Sequence, residues 1–88
     1  MEFVMVYEKV YRERVFDKGR KKSVIRLIRW NSQRPYVENR EFILDEKKEW
    51  RPGKSRGLSA EDLDVLLEKR EQLAEDFKRA EGVAFSRR

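Results

Sequence analysis

The hydrophobic pattern of this chain changes period near Ser59, and this change divides the sequence into two kinds of structure. Upstream, short runs rich in β-branched and aromatic residues are separated by turn residues, which is typical of strands. Downstream, apolar residues recur at the spacing of one helical face. Ser59 is a good N-cap, and the acidic Glu61 and Asp62 follow where the helix dipole favours them. The pattern predicts a helix over residues 60–81 that ends near Gly82.

Strands are predicted throughout the upstream part. The first run loses its alternation near Glu8–Lys9, which predicts a bulge there, and Asp17-Lys18-Gly19 predicts a turn. The predicted strands cover residues 3–16, 23–30 and 36–44, and a short further strand is left open at 49–51. Alternation places Ile25 and Leu27 on one face of the second strand and Val24, Arg26, Ile28 and Trp30 on the other.

The chain is short and highly charged, so its core must be small. Its 88 residues make one domain (1–88), with 44% charged residues and neither cysteine nor histidine. A helix over 60–81 would be about 33 Å long, which exceeds what one small sheet covers. A second copy of this helix would cover the remaining apolar residues, unless the helix is shorter or bends back on its own sheet. The predicted dimer contacts are Leu66, Arg70, Leu73 and Phe77, and residues 83–88 are expected to form a flexible tail.

The positive charge is concentrated in the middle of the chain. Of the net charge of +5, residues 18–57 contribute thirteen Lys or Arg against five Asp or Glu, while both ends are close to neutral. A concentrated basic surface attracts polyanions, and nucleic acid is the favoured reading over a merely solubilising surface. No apolar run is long enough to span a membrane and no signal-peptide pattern is present, so the cytoplasm is the expected location.

A group of motifs in residues 23–73 resembles a known family. Trp30-Asn31 and Arg34-Pro35 form a first element, and a second one follows after the next strand. The second element consists of Arg40-Glu41-Phe42, Asp45, Glu49-Trp50-Arg51-Pro52-Gly53-Lys54 and Gly57-Leu58. Their order and spacing resemble the C-terminal domain of the transcriptional coactivator positive cofactor four and its bacterial and phage relatives. The resemblance implies an α+β fold, with a four-stranded antiparallel sheet followed by one long C-terminal helix, and an obligate dimer that pairs through the helices.

The same resemblance implies single-stranded DNA binding on basic, aromatic-lined grooves. Matching residues assign Arg40 to a phosphate contact and Trp30 to base stacking, with Phe42 and Lys54 at further matching positions. One departure is Ile43, which stands where the coactivator has a stacking tryptophan, and the loop from Gly53 to Gly57 differs in length by about a residue. Stacking is therefore expected to be weaker or to shift to other aromatic residues.

Residue chemistry leads to the same class of ligand, because single strands need cations along the phosphates and flat side chains against the bases. The predicted contacts are Lys21, Lys22, Trp30, Arg34, Arg40, Phe42, Trp50, Arg51, Lys54 and Arg56. Singly, each cation could be an ordinary solvated charge, and each tryptophan could belong to the core. Two alternatives stay open: RNA binding, and an interaction module for an acidic partner such as a transcription or replication protein.

Catalysis has little support in the sequence. Without histidine or cysteine, the common general bases, nucleophiles and soft-metal ligands are missing. The acids Asp45, Glu46 and Glu49 do not have the spacing of a metal site. The sequence therefore predicts a binding protein with no catalytic residue, metal or cofactor.

Overall fold

The computed structural model describes residues 3–83, which form one antiparallel sheet and two C-terminal helices. The elements are β1 (Met5–Phe16), β2 (Lys21–Trp30), β3 (Tyr36–Leu44), β4 (Trp50–Ser55), α1 (Ala60–Glu68) and α2 (Arg70–Glu81). The strands lie in the order β1-β2-β3-β4, so each pairs with its neighbour in the chain. The α+β class and the four-stranded sheet are thus confirmed. Of the predicted tail, residues 84–88 lie outside the described part of the chain.

The turn predicted at Asp17-Lys18-Gly19 is present between β1 and β2, and its backbone angles suit its residues. Asp17, Lys18 and Gly19 all have positive φ, at 54°, 54° and 85°. Asp tolerates this left-handed region better than most residues and Gly adopts it at no cost. The Gly19 N–H closes the turn on the Phe16 carbonyl at 3.2 Å. The tight turn makes β1 and β2 antiparallel neighbours.

The irregularity predicted near Glu8–Lys9 is present as two register shifts, one on each side of that pair. The register against β2 shifts after Met5 and again after Val10. In a regular strand, neighbouring residues point to opposite faces. At the second shift, however, both Tyr11 and Arg12 reach the helices, through bonds to Asp residues of α2 and α1. The irregularity therefore provides two adjacent anchors for the helices.

The register divides the sheet into a helix face and an open face. Directly paired residues share a face, so the contacts of Arg12 and Arg29 with the helices identify the face that α1 and α2 cover. The opposite side is called the open face below. It consists of Met5, Glu8, Val10, Glu13 and Val15 of β1, Lys22, Val24, Arg26, Ile28 and Trp30 of β2, Tyr36, Glu38, Arg40, Phe42 and Leu44 of β3, and Trp50, Pro52 and Ser55 of β4.

The core is small and centred on β2. Its residues from 23 to 29 are all buried, and Ile25, Leu27 and Ile28 have no exposed surface. The predicted division of this strand is confirmed, because Ile25 and Leu27 lie on the helix face and Ile28 on the open face. From the helices, only Leu66 and Ala80 add buried apolar side chains within the described residues.

The predicted single helix is divided at Lys69, which has φ −109° and ψ 26°. No glycine or proline stands there, so the local sequence carries no signal of the break. Contacts on either side account for it. Asp62 of α1 forms an ion pair with Arg12, and Asp76 of α2 accepts a hydrogen bond of 2.7 Å from the Tyr11 hydroxyl. The break allows both helices to follow the sheet.

Polar side chains fix both ends of the helical region. Ser59 and Asp62 form a reciprocal capping box at the start of α1, and Asn39 of β3 donates to the Asp62 carboxylate at 3.3 Å. At the far end, Arg29 of β2 donates to the Ala80 carbonyl and, at 3.1 Å, to that of Glu81. A cation at a helix C-terminus is favoured by the helix dipole. Ionic anchors thus supplement a core of few apolar residues.

Candidate nucleic-acid interface

The open face carries two pairs of aromatic side chains at its opposite ends. At one end, the Trp30 indole N–H donates to the Tyr36 hydroxyl at 3.1 Å. At the other end lie Phe42 and Trp50, beside Lys22. The eight residue-to-residue steps of β2 from Lys22 to Trp30 separate the two ends by about 26 Å. All four rings are partly exposed. The face can therefore offer flat surfaces at two points along an extended ligand.

The Phe42–Trp50 end combines its rings with cations. The Lys22 ammonium lies 4.6 Å from the centroid of Trp50 and 5.7 Å from that of Phe42. The Arg26 guanidinium lies 5.2 Å from the Phe42 ring. All three distances are within the range of cation–π attraction. A shallow groove of about 210 Å³ runs between these residues and Val10 of β1. Glu8 and Glu13 also line this groove, so this end presents aromatic surface beside both cations and carboxylates.

Each cation of the open face is paired with a carboxylate of the same face. Lys22 contacts Glu13 at 2.8 Å and Arg26 contacts Glu8 at 2.7 Å. The three cations and three carboxylates of this face give it a formal charge of zero. The acids were counted in the sequence, but the pairing of Lys22 with Glu13 and of Arg26 with Glu8 was not predicted. The alternation of charged residues along β1 and β2 was visible, but their pairing depends on the register.

Glu38 lies at the centre of this arrangement and is buried. It accepts contacts of 2.8 Å from Arg26 and 2.9 Å from Arg40. Burial raises the pKa of Glu38, but hydrogen bonds and charge from Arg40 and Arg26 outweigh it, so the pKa lies below its ordinary value. Arg40 also donates to the Gly53 carbonyl at 2.9 Å. A phosphate at Arg40 would have to share a guanidinium that already holds β3 to β4.

The predicted contact residues do not form one patch. The open face brings together Lys22, Trp30, Arg40, Phe42 and Trp50. The other cations lie elsewhere. Lys21 and Arg51 both pair with Ile43 and point to the other side of the sheet. Arg34 lies in the loop between β2 and β3, and Lys54 is exposed on β4.

Arg56 belongs to a separate groove at the start of α1. It pairs with Glu41 at 3.0 Å and lies 5.7 Å from the Phe16 ring. This groove has a volume of about 660 Å³ and is also lined by Arg12 and Asp62, which pair with each other. Hydrogen bonds from the Ser59 backbone and from Arg12 overcome the effect of burial and lower the pKa of Asp62. The Arg12–Asp62 ion pair that lines this groove connects β1 to the start of α1.

Three predicted cations have side chains that form no hydrogen bond or ion pair within residues 3–83, namely Lys21, Arg34 and Lys54. Arg51 is 61% exposed and pairs with Asp45 at 2.8 Å and Glu49 at 3.2 Å. Exposed pairs of this kind contribute little to stability, so a phosphate can compete for the guanidinium. These cations can contact the phosphates of a nucleic acid that extends beyond the open face, but they do not determine where it binds.

No family model, curated protein or solved structure matches this chain. The resemblance described above therefore rests on its motif residues, and the site is argued from geometry. Among the described residues, no group of His, Cys, Asp or Glu is arranged to hold a metal ion. Within residues 3–83, neither helix has the length and apolar character needed to cross a membrane.

The residues predicted to form the dimer interface differ in their burial. Leu66 is only 8% exposed within the single chain. Leu73 and Phe77 are partly buried, and Arg70 is exposed. The large apolar side chains that α1 leaves exposed are Leu63 and Leu67, at 48% and 64%. The helical residues that a second chain could cover are thus on α1 as well as α2.

Proposed function

We propose that this protein binds single-stranded DNA as a homodimer, with little sequence preference, in transcription, replication or repair. The observation that supports this most is the placement of Trp30 and Trp50 at opposite ends of the open face, with Lys22 and Arg40 on the same face. Stacking on aromatic side chains is sequence-tolerant because every base has a π face. Two stacking points on one surface suit an extended strand.

The balance of charge favours single strands over duplex as the ligand. Non-specific duplex binding relies on cations that neutralise phosphates. On the open face, every cation is already paired with a carboxylate, so charge alone provides little affinity. Base stacking contributes about 1–3 kcal/mol for each base. Only a ligand with unstacked bases can gain this contribution from the rings of Trp30, Phe42 and Trp50.

Replacement of Trp50 by alanine is expected to weaken single-strand binding by the equivalent of one lost stack, about 1–3 kcal/mol. The variants Trp30→Phe and Trp50→Phe each leave one tryptophan as a reporter. Titration of both with a mixed-sequence oligonucleotide should quench the fluorescence of each, because the two rings lie at the two ends of the face.

The control for this experiment is Phe3→Ala, which removes an aromatic ring that is 60% exposed and lies outside the sheet. Its affinity should equal that of the wild type. Equal affinity of Trp50→Ala and the wild type would contradict the proposed site. A parallel titration with RNA of the same sequence decides between the two nucleic acids. If RNA binds more tightly than DNA, RNA becomes the proposed ligand.

We further propose that the homodimer forms through the helices. Leu67 of α1 is 64% exposed, and burying such a side chain contributes about 1.5–3 kcal/mol. Leu67→Glu is therefore expected to shift the protein from dimer to monomer in sedimentation equilibrium at micromolar concentration. The matched control is Val15→Glu on β1, which places the same charge on a side chain that is 53% exposed. A wild type that sediments as a monomer would contradict the proposal.

A further inference from the structure

We propose that Glu8 and Glu13 set the preference of the open face for single strands over duplex. The inference rests on the proposed function and adds two residues that weaken the binding of duplex DNA. Both carboxylates belong to β1, at the edge of the sheet. Each holds a cation that lies beside an aromatic ring of the face, Glu8 through Arg26 and Glu13 through Lys22.

The geometry places these carboxylates where phosphates would otherwise bind. The Glu13 carboxylate is 2.8 Å from the Lys22 ammonium, which lies over the Trp50 ring at 4.6 Å. The Glu8 carboxylate is 2.7 Å from Arg26, whose guanidinium faces Phe42 at 5.2 Å. The side chains of Glu8 and Glu13 are 43% and 49% exposed. They can therefore rotate away when a ligand displaces them.

Glu38 differs from this pair in both burial and role. Its side chain is 5% exposed and lies between Arg26 and Arg40. A ligand on the surface cannot displace a buried carboxylate without opening the sheet. Glu38 therefore belongs to the structure of the face, whereas Glu8 and Glu13 are available for competition.

The two exposed carboxylates act differently on the two kinds of nucleic acid. Duplex DNA is stiff and carries about one charge for every 1.7 Å of its axis, so it brings many phosphates against the whole face. Its bases are stacked inside and cannot reach Trp50. A single strand is flexible, so it can stack its bases on Trp50 and Phe42 and direct its phosphates away from β1. Repulsion against a competitor is a common source of specificity.

The test compares the wild type with a double variant that carries both Glu8→Gln and Glu13→Gln. Fluorescence anisotropy measures binding of a labelled single strand and of its duplex at about 50 and 200 mM salt, where phosphate contacts differ most in strength. Duplex affinity is expected to rise about tenfold and single-strand affinity about threefold or less. The double variant leaves Lys22 without a carboxylate partner and removes one negative charge beside Arg26, which keeps its pair with Glu38. The salt dependence of duplex binding should steepen as well.

The control is Glu68→Gln, which removes the same charge from an exposed position on α1, away from the sheet. It should leave both affinities within about twofold of the wild type, because separated surface charges are screened by salt. The single variants Glu8→Gln and Glu13→Gln are measured too. If the double variant does not fold, the single variants still test the proposal.

The outcomes separate this inference from the proposed function. Suppose that the wild type binds single strands tightly and that Glu8→Gln and Glu13→Gln leave the ratio of single-strand to duplex affinity unchanged. This result overturns the role of the two carboxylates but not the proposed function. A wild type that does not bind single strands contradicts the proposed function and this inference with it. A ratio that falls in the variants but not in Glu68→Gln supports both.

Discussion

Leu27→Ala is expected to lower the free energy of unfolding by about 2–5 kcal/mol, the cost of emptying a fully buried leucine site. Leu27 has no exposed surface and lies on the helix face of β2, between the sheet and the helices. Domains of this size have a free energy of unfolding near the low end of about 5–15 kcal/mol. The substitution should therefore remove a large fraction of the stability of the chain.

Urea denaturation followed by circular dichroism measures this loss. All variants are compared at one protein concentration, because a dimer would make the apparent stability concentration-dependent. The control is Val15→Ala on β1, where 53% of the residue is already exposed and little is lost on truncation. A Leu27→Ala variant as stable as Val15→Ala would contradict the packing of the helices on this face.

The strands and their faces could be predicted because local patterns determine them. The alternation of Ile25 and Leu27 against Ile28 and the turn at Asp17-Lys18-Gly19 are both present in the structure. These features depend on neighbours in the sequence. The cap at Ser59 is predictable for the same reason, since its partner Asp62 is three residues away.

The helix break at Lys69 could not be predicted, because it depends on contacts distant in the sequence. An irregularity of β1 was predicted from its lost alternation, but its exact positions were not. Lys69 has no helix-breaking side chain, and the break separates helices anchored at Arg12 and Tyr11 of β1. The anchors Asp62 and Asp76 look like ordinary solvated acids of an amphipathic helix. Their burial becomes apparent only when β1 and the helices are brought together.

The candidate site was predictable in its aromatic residues and not in its charge. Trp30 and Trp50 could be chosen by residue type and Phe42 by the family resemblance, whereas Tyr36 was not predicted. The excess of Lys and Arg over residues 18–57 predicted a concentrated basic surface. The register instead sets Lys22 against Glu13 and Arg26 against Glu8, so neighbouring strands cancel each other's charge. Net charge per segment says nothing about such pairing across strands.

Glu38→Ala is expected to lower the free energy of unfolding by about 3–5 kcal/mol, the usual cost of removing one partner of a buried ion pair. The loss leaves Arg26, whose side chain is 9% exposed, with only the exposed Glu8. Arg40 keeps only its bond to the Gly53 carbonyl. Chemical denaturation at neutral pH measures the difference from the wild type.

The pH dependence of that difference distinguishes an ionic role from simple packing. Because Arg40 and Arg26 hold the pKa of Glu38 below its ordinary value, the folded state favours the carboxylate. The stabilisation is therefore complete above the unfolded pKa of about 4.3 and is lost as pH falls through the lower folded value. The gap between wild type and Glu38→Ala should narrow below about pH 4. The control Glu49→Ala removes a carboxylate that is 62% exposed, and it should change stability by less than about 1 kcal/mol at neutral pH. A gap for Glu38→Ala that stays constant on acidification would assign its effect to lost packing, and the central ion pairs would then contribute nothing to the stability of the open face.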